Sequence, residues 1–200
     1  MTTSLFGKDI LDLQLLSDDE IRLIMDTTAR YEKVMQNGGR LMNLYGKTLA
    51  TLFYEPSTRT RLSFETAMLK MGGSVISVAD AKTSSSAKKG ETVYDTGKMI
   101  ESYSDVAVIR HPVTGSAKEL ADGSDKPVIN AGDGAGQHPT QALLDLYTIL
   151  KEKGKIEAQC QAFQKHAVLP GEEKFQQGLA EDCGQTIKVY DKLYKAIDNY

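Results

Sequence analysis

Two hundred residues, 40% hydrophobic and 26% charged, suffice for one well-packed domain with an appendage. A formal net charge of −3 with scattered lysines argues against a general nucleic-acid or membrane-surface role, because both need a basic stripe. No apolar run approaches the roughly 20 residues that span a bilayer, Cys160 and Cys183 make no metal or C-x-x-C pattern, and no signal peptide is evident, so a reducing cytoplasm is expected, with no metal and no cofactor.

Ser17-Asp18-Asp19-Glu20 reads as a capping box that opens a helix. Ile21, Ile24, Met25, Thr28 and Met35 lie near one face, Asn37-Gly38-Gly39 stops it, and it is expected to cover a sheet. Gly46-Lys47-Thr48 imitates a nucleotide P-loop, but Leu41 stands where that motif needs glycine and a strand follows instead of a helix. That strand, Thr48 to Tyr54, leads through Glu55-Pro56 into Ser57-Thr58-Arg59-Thr60-Arg61, after which Leu62, Thr66 and Leu69 recur at helical spacing. Such a turn is an anion trap. Helix-initial N–H groups lack intrahelical partners and carry the positive dipole end, hydroxyls of Ser57, Thr58 and Thr60 stand beside them, and Arg59 and Arg61 add planar forks. The alternative is an exposed basic helix start capped by Ser57.

Gly72-Gly73 ends that helix and Ser74 to Val78 is a strand, followed by a polar loop from Asp80 to Thr92 that composition alone assigns to the surface. A helix is expected from Glu91 to Tyr103, then a strand, Asp105 to Ile109, apolar enough to be buried on both faces. Arg110 stands at its carboxyl end, where a charge points to the ligand crevice of an open sheet; His111 reads as a structural neighbour. Ser116 to Asp122 is a short helix and Pro127 to Asn130 a fourth strand. In the glycine-rich run after it, a dinucleotide fingerprint from Gly132 and Gly134 fails at Gln137. Pro139 suits a first helical turn and Leu143, Leu146, Tyr147 and Leu150 form its stripe, so His138 and Gln141 are held at a helix start.

The strand-helix order repeats four times. Residues 1–152 are therefore expected to form a three-layer α/β domain with a four-stranded parallel sheet flanked by helices. Residues 153–200 are expected to be a helical tail, with Ile156, Cys160, Phe163 and Ala167 on one stripe and Ile187, Tyr190, Leu193, Tyr194 and Ile197 on another. Leu169-Pro170-Gly171 breaks between them, and the last helix is expected to pack back on the first domain. His166, Cys160 and Cys183 read as packing or surface residues.

Ser57-Thr58-Arg59-Thr60-Arg61 with Ser63-Phe64-Glu65 resembles the carbamoyl-phosphate motif of the transcarbamoylases, and Phe53-Tyr54-Glu55-Pro56 ahead of it resembles the aspartate branch. Ser85-Ser86-Ala87-Lys88-Lys89-Gly90-Glu91-Thr92 resembles the loop that reaches into a neighbouring subunit's site, and His138-Pro139-Thr140-Gln141 the second half of the substrate site. The resemblance implies that Ser57, Thr58, Arg59 and Thr60 hold phosphate and that Arg110 and His138 act on the carbonyl oxygen. Gln141 would accept from the carbamoyl amide, while Ser85 and Lys89 come from the adjoining chain of a homotrimer. Arg59, Thr60, Arg110, His138 and Lys89 would be catalytic in carbamoyl transfer from carbamoyl phosphate to L-aspartate, a step of pyrimidine biosynthesis that needs no metal or cofactor.

The family continues into a second, aspartate-binding domain, and residues 153–200 carry no motif of it. Aspartate is expected as a partner only if a second-substrate site exists, and transfer is expected to be impaired. Three other readings stay open: a carbamoyl-phosphate or phosphate-binding module without turnover, an ornithine transcarbamoylase, which lacks this serine-lysine loop, and a purely structural α/β subunit.

Overall fold

The computed structural model describes residues 3–79 and 90–165, with side chains described as far as residue 152. Four parallel strands, β1 (Thr48–Phe53), β2 (Ser74–Val78), β3 (Val106–His111) and β4 (Val128–Asp133), lie in the order β2-β1-β3-β4. The described residues also form five α-helices: α1 (Asp18–Gln36), α2 (Thr58–Lys70), α3 (Val93–Ile100), α4 (Ser116–Asp122) and α5 (Pro139–Lys165). Packing divides the chain between Ala142 and Leu143. All four strands belong to the first unit.

The central strands are apolar on both faces, so each side of the sheet has its own core. Ala50, Leu52, Ala107, Ile109 and Val128 pack with Ile100 of α3 and Ala117 and Leu120 of α4. Leu49, Phe53, Val108 and Ala131 pack on the other side with Met68 and Phe64 of α2. Burying each large side chain contributes about 1.5–3 kcal/mol. This is the expected three-layer arrangement.

Three details depart from the sequence reading. Leu62 and Leu69 do not form the inner face of α2, being 48% and 60% exposed; Phe64 and Met68 do. The cause is polar as well as apolar. Glu65 points the same way and its Oε1 accepts from Thr51 Oγ1 on β1 at 2.9 Å and from Ser77 Oγ on β2 at 2.6 Å, which fixes the helix's rotation. Second, α1 begins as expected, with Ser17 and Glu20 capping reciprocally, but no α1 side chain belongs to either core cluster and Met25 is its one buried residue. The clusters are completed by α2, α3 and α4 instead.

Third, element ends shift. A second capping box, Thr92 with Asp95, starts α3 at Val93, and β4 runs three residues past Asn130. Helix α5 continues without a break from Pro139 to Lys165. Leu143 and Leu146 are buried, and Tyr147 and Leu150 half-buried. The side chains of Ile156, Cys160 and Phe163, and everything read at Ala167, the 169–171 break, the last stripe, His166 and Cys183, lie outside the described residues.

Helices α3 and α4 touch through Gly97, where an added Cβ would lie 2.5 Å from the Leu120 carbonyl oxygen and 3.1 Å from Gly123 Cα. Glycine to alanine inside a helix ordinarily stabilises by about 1 kcal/mol. Here the methyl meets backbone and the sign reverses: Gly97→Ala is expected to lower stability by about 1–3 kcal/mol. Urea unfolding measures this, and a raised midpoint would contradict the close helix contact.

Candidate functional site

From β1 the sheet runs to β2 on one side and to β3 on the other, so the loops leaving β1 and β3 diverge. The crevice outside the carboxyl ends of these two strands is where open α/β sheets bind ligands. Phe53 pairs with Arg110 in register, and the Tyr54 N–H donates to the Arg110 carbonyl at 2.8 Å, joining the two strand ends.

The turn after β1 opens α2. Ser57 precedes Thr58 but does not cap the helix with its side chain; its hydroxyl donates to Thr60 Oγ1 at 2.9 Å instead. The N–H groups of Thr58, Arg59 and Thr60 are thereby left without intrahelical partners. Thr58 and Arg59 are exposed, Ser57 and Thr60 half-buried. This helix start faces outward with its donors open. Arg61 does not join it: Nη1 donates to Ser77 Oγ at 3.1 Å and lies 3.6 Å from Glu65 Oε1, which turns its fork toward β2.

Arg110, only 22% exposed, is held at two points. Nη1 donates to the Ala131 carbonyl at 3.2 Å and Nη2 to Glu55 Oε1 at 3.2 Å, while Nε is buried without a partner. Gly132, at φ +115°, explains how close the end of β4 comes, because a Cβ there would lie 3.1 Å from Arg110 Nη1 and 3.4 Å from His138 Cδ2. The guanidinium and the imidazole meet over this one glycine. His138 Nδ1 accepts from the Gln141 N–H at 3.4 Å, at the first turn of α5.

Arg110 and His138 are thus brought together, with Gln141 bonded to His138. Ser57, Thr58, Arg59 and Thr60 stand on the loop leaving the adjoining strand end, and Arg59 makes no contact that ties it to Arg110. Ser85 and Lys89 lie outside the described residues. Among the described residues no cluster of three or more His, Cys, Asp or Glu could hold a metal ion, and no helix is long and apolar enough to cross a membrane. A cavity of about 450 Å³ bordered by Met35, Leu41, Leu69 and Gly72 precedes β1 and β2 and touches none of these site residues.

Three residues missed by sequence reading shape the site. Glu55 pairs with Arg110; Asn130 and Asp133 hold the loop that carries Gly132 and His138. Only the Glu55 partner had a local sign, its place in the turn. The other two combine contacts within 130–137 with ones to Leu11 and Gly115 elsewhere in the fold.

A parallel sheet with an arginine, an imidazole and an open helix start at its switch point defines an α/β unit whose crevice can hold a small anion. The particular lineage follows from sequence. Residues 8–151 match the carbamoyl-P binding domain of aspartate/ornithine carbamoyltransferase, and the chain belongs to that family. It is 52% identical over 150 residues to the aspartate carbamoyltransferase catalytic subunit of Picrophilus torridus, covering 75% of this chain and 49% of that one. With the Leptospira biflexa subunit the identity is 56% over 150 residues, covering 75% and 48%. The chain spans about half the length of the curated relatives it matches. Among solved structures, aspartate transcarbamoylase from Trypanosoma cruzi in complex with carbamoyl phosphate superposes with TM-score 0.70 at 40% identity, covering 75% of this chain and 46% of that one. The same enzyme with carbamoyl phosphate and aspartate gives the same values.

His111 is the structural neighbour expected. Its Nδ1 accepts from the Val113 N–H at 3.1 Å and lies 2.7 Å from Ser116 Oγ, and its ring packs 4.7 Å from that of Tyr54. Burial pulls its pKa below the usual 6.5, more than the nearby Glu119 and Asp133 charges raise it. An imidazole with a depressed folded pKa binds a proton more readily when unfolded, so its contribution is complete above the unfolded pKa and is lost as pH falls toward the folded one. The stability of the protein is expected to fall below about pH 6.5, and His111→Gln to flatten that part of the profile. Superimposable pH profiles for the two proteins would contradict this.

Proposed function

We propose that the strand-end crevice binds carbamoyl phosphate and serves carbamoyl transfer to L-aspartate, giving N-carbamoyl-L-aspartate and phosphate in pyrimidine biosynthesis. The meeting of Arg110 and His138 over Gly132, beside the uncapped start of α2, carries this reading. Ser57, Thr58, Arg59 and Thr60 anchor phosphate oxygens with their N–H groups, hydroxyls and the Arg59 fork. Arg110, His138 and Thr60 surround the carbonyl oxygen, and Gln141 accepts from the carbamoyl amide.

In the reaction the aspartate amine attacks the carbamoyl carbon and negative charge gathers on the carbonyl oxygen. Donors already aimed at that oxygen stabilise the charge with no reorganisation at the moment of reaction. The C–O bond to phosphate then breaks and the amine proton passes to the departing phosphate. Charge on the departing phosphate is met by Arg59 and, from an adjoining chain of a homotrimer, by Lys89 with Ser85. The homotrimer is proposed from the resemblance, and a cytoplasmic location from the cysteine pattern of Cys160 and Cys183.

The family match ends at residue 151. We infer that the 200 residues alone transfer poorly, since orienting the amine supplies about 7–11 kcal/mol of barrier lowering in well-ordered sites. A binding module without turnover is the second reading, favoured by the match of residues 8–151 to a carbamoyl-P binding domain. The similarity to aspartate carbamoyltransferase catalytic subunits favours aspartate over ornithine as acceptor.

Calorimetric titration and single-turnover assays test both. Carbamoyl phosphate is expected to bind, and Arg59→Ala or Arg110→Ala to weaken it by roughly 10- to 100-fold through loss of charged hydrogen bonds. Unchanged affinity in both variants would overturn the proposed site. Labelled product with aspartate supports the transferase, and binding with no product leaves the module.

A further inference from the structure

Asn130 is 1% exposed and immediately precedes the segment that supports the Arg110 guanidinium and the His138 imidazole. Its Nδ2 donates to the Gln137 carbonyl at 3.1 Å and to the Leu11 carbonyl at 3.0 Å, and its Oδ1 accepts from the Gly132 N–H at 2.8 Å. Every hydrogen of the amide is used. The neighbours of the residues so held are the ones that matter: the Ala131 carbonyl takes Arg110 Nη1, and His138 follows Gln137. One side chain therefore ties the end of β4 to the residue that precedes His138.

Strand pairing fixes the anchor itself. The Asn130 N–H donates to the Ile10 carbonyl at 2.9 Å, Ile10 bridges Ile129, and Asp9 accepts the Val128 N–H at 2.8 Å. Asp133 braces the loop from inside, its Oδ1 accepting from the Gln137 N–H and its Oδ2 from the Gly115 N–H, each at 2.8 Å. The loop can shift only by leaving buried donors or acceptors unpaired, which is costly in a low-dielectric interior.

We infer that Asn130 is a positioning residue that sets the spacing of the Arg110 guanidinium and the His138 imidazole, and so the preference of the site for carbamoyl phosphate over inorganic phosphate. The inference rests on the proposed site. Inorganic phosphate needs only the α2 turn, which Asn130 does not touch, whereas a carbamoyl oxygen needs Arg110 and His138 at a fixed separation.

The test is calorimetric titration of the 200-residue chain with each anion. Asn130→Asp keeps the shape and the Gly132 acceptor but removes both donors; Asn130→Ser is the milder variant should the aspartate protein not fold. Val128→Ala, a buried change two residues away that leaves the loop contacts intact, controls for lost stability. The ratio of carbamoyl phosphate to phosphate affinity is expected to fall roughly 5- to 20-fold in the Asn130 variants through loss of one or two hydrogen bonds, with phosphate affinity and the Val128→Ala ratio unchanged. An unchanged ratio in the Asn130 variants, or an equal loss for both anions, overturns the inference. A wild-type protein with no preference for carbamoyl phosphate would instead sink the proposed site.

Discussion

The pairing of β1 with β3 is the constraint on which the site depends. Because these parallel strands end level, with Phe53 opposite Arg110 and the Tyr54 N–H on the Arg110 carbonyl, the loops that follow them must diverge from one edge. The loop from β1 enters α2 with its first N–H groups open, and the last residues of β4 pass close to Arg110 at Gly132. Shift that register by one residue and the side chains of β3 change faces. Arg110 would then leave the crevice and the Ile109 side chain would leave its core.

The electrostatics of the crevice are arranged around partial satisfaction. Arg110 spends two of its donors on Glu55 and Ala131, which keep the guanidinium in place, while Nε stays unpaired in a buried position. Arg61, by contrast, is turned to Glu65 and Ser77, so it braces α2 against β2. The same carboxylate receives the Thr51 hydroxyl at the buried middle of β1. One arginine of the turn is thus structural and the other, Arg59, remains exposed toward solvent.

Much of this was legible locally. The reciprocal caps at Ser17 and Glu20, the buried character of β1 and β3, and Arg110 at a strand end all follow from neighbouring residues. The rotation of α2 was not, since Leu62, Thr66 and Leu69 fit a helical stripe as well as Phe64 and Met68 do; the choice is made by Glu65 reaching two strands. Asn130 and Asp133 were equally hidden. Their partners Leu11 and Gly115 are distant in sequence, and the glycines beside them read as loop although β4 continues to Asp133.

The most direct measurement is an NMR titration of the protein with carbamoyl phosphate, following the guanidinium Nε–H groups of Arg59 and Arg110 and the ring of His138 together. A single crevice predicts that all three respond with one shared midpoint. Separate midpoints, or changes confined to the cavity beside Met35 and Leu69, would contradict it.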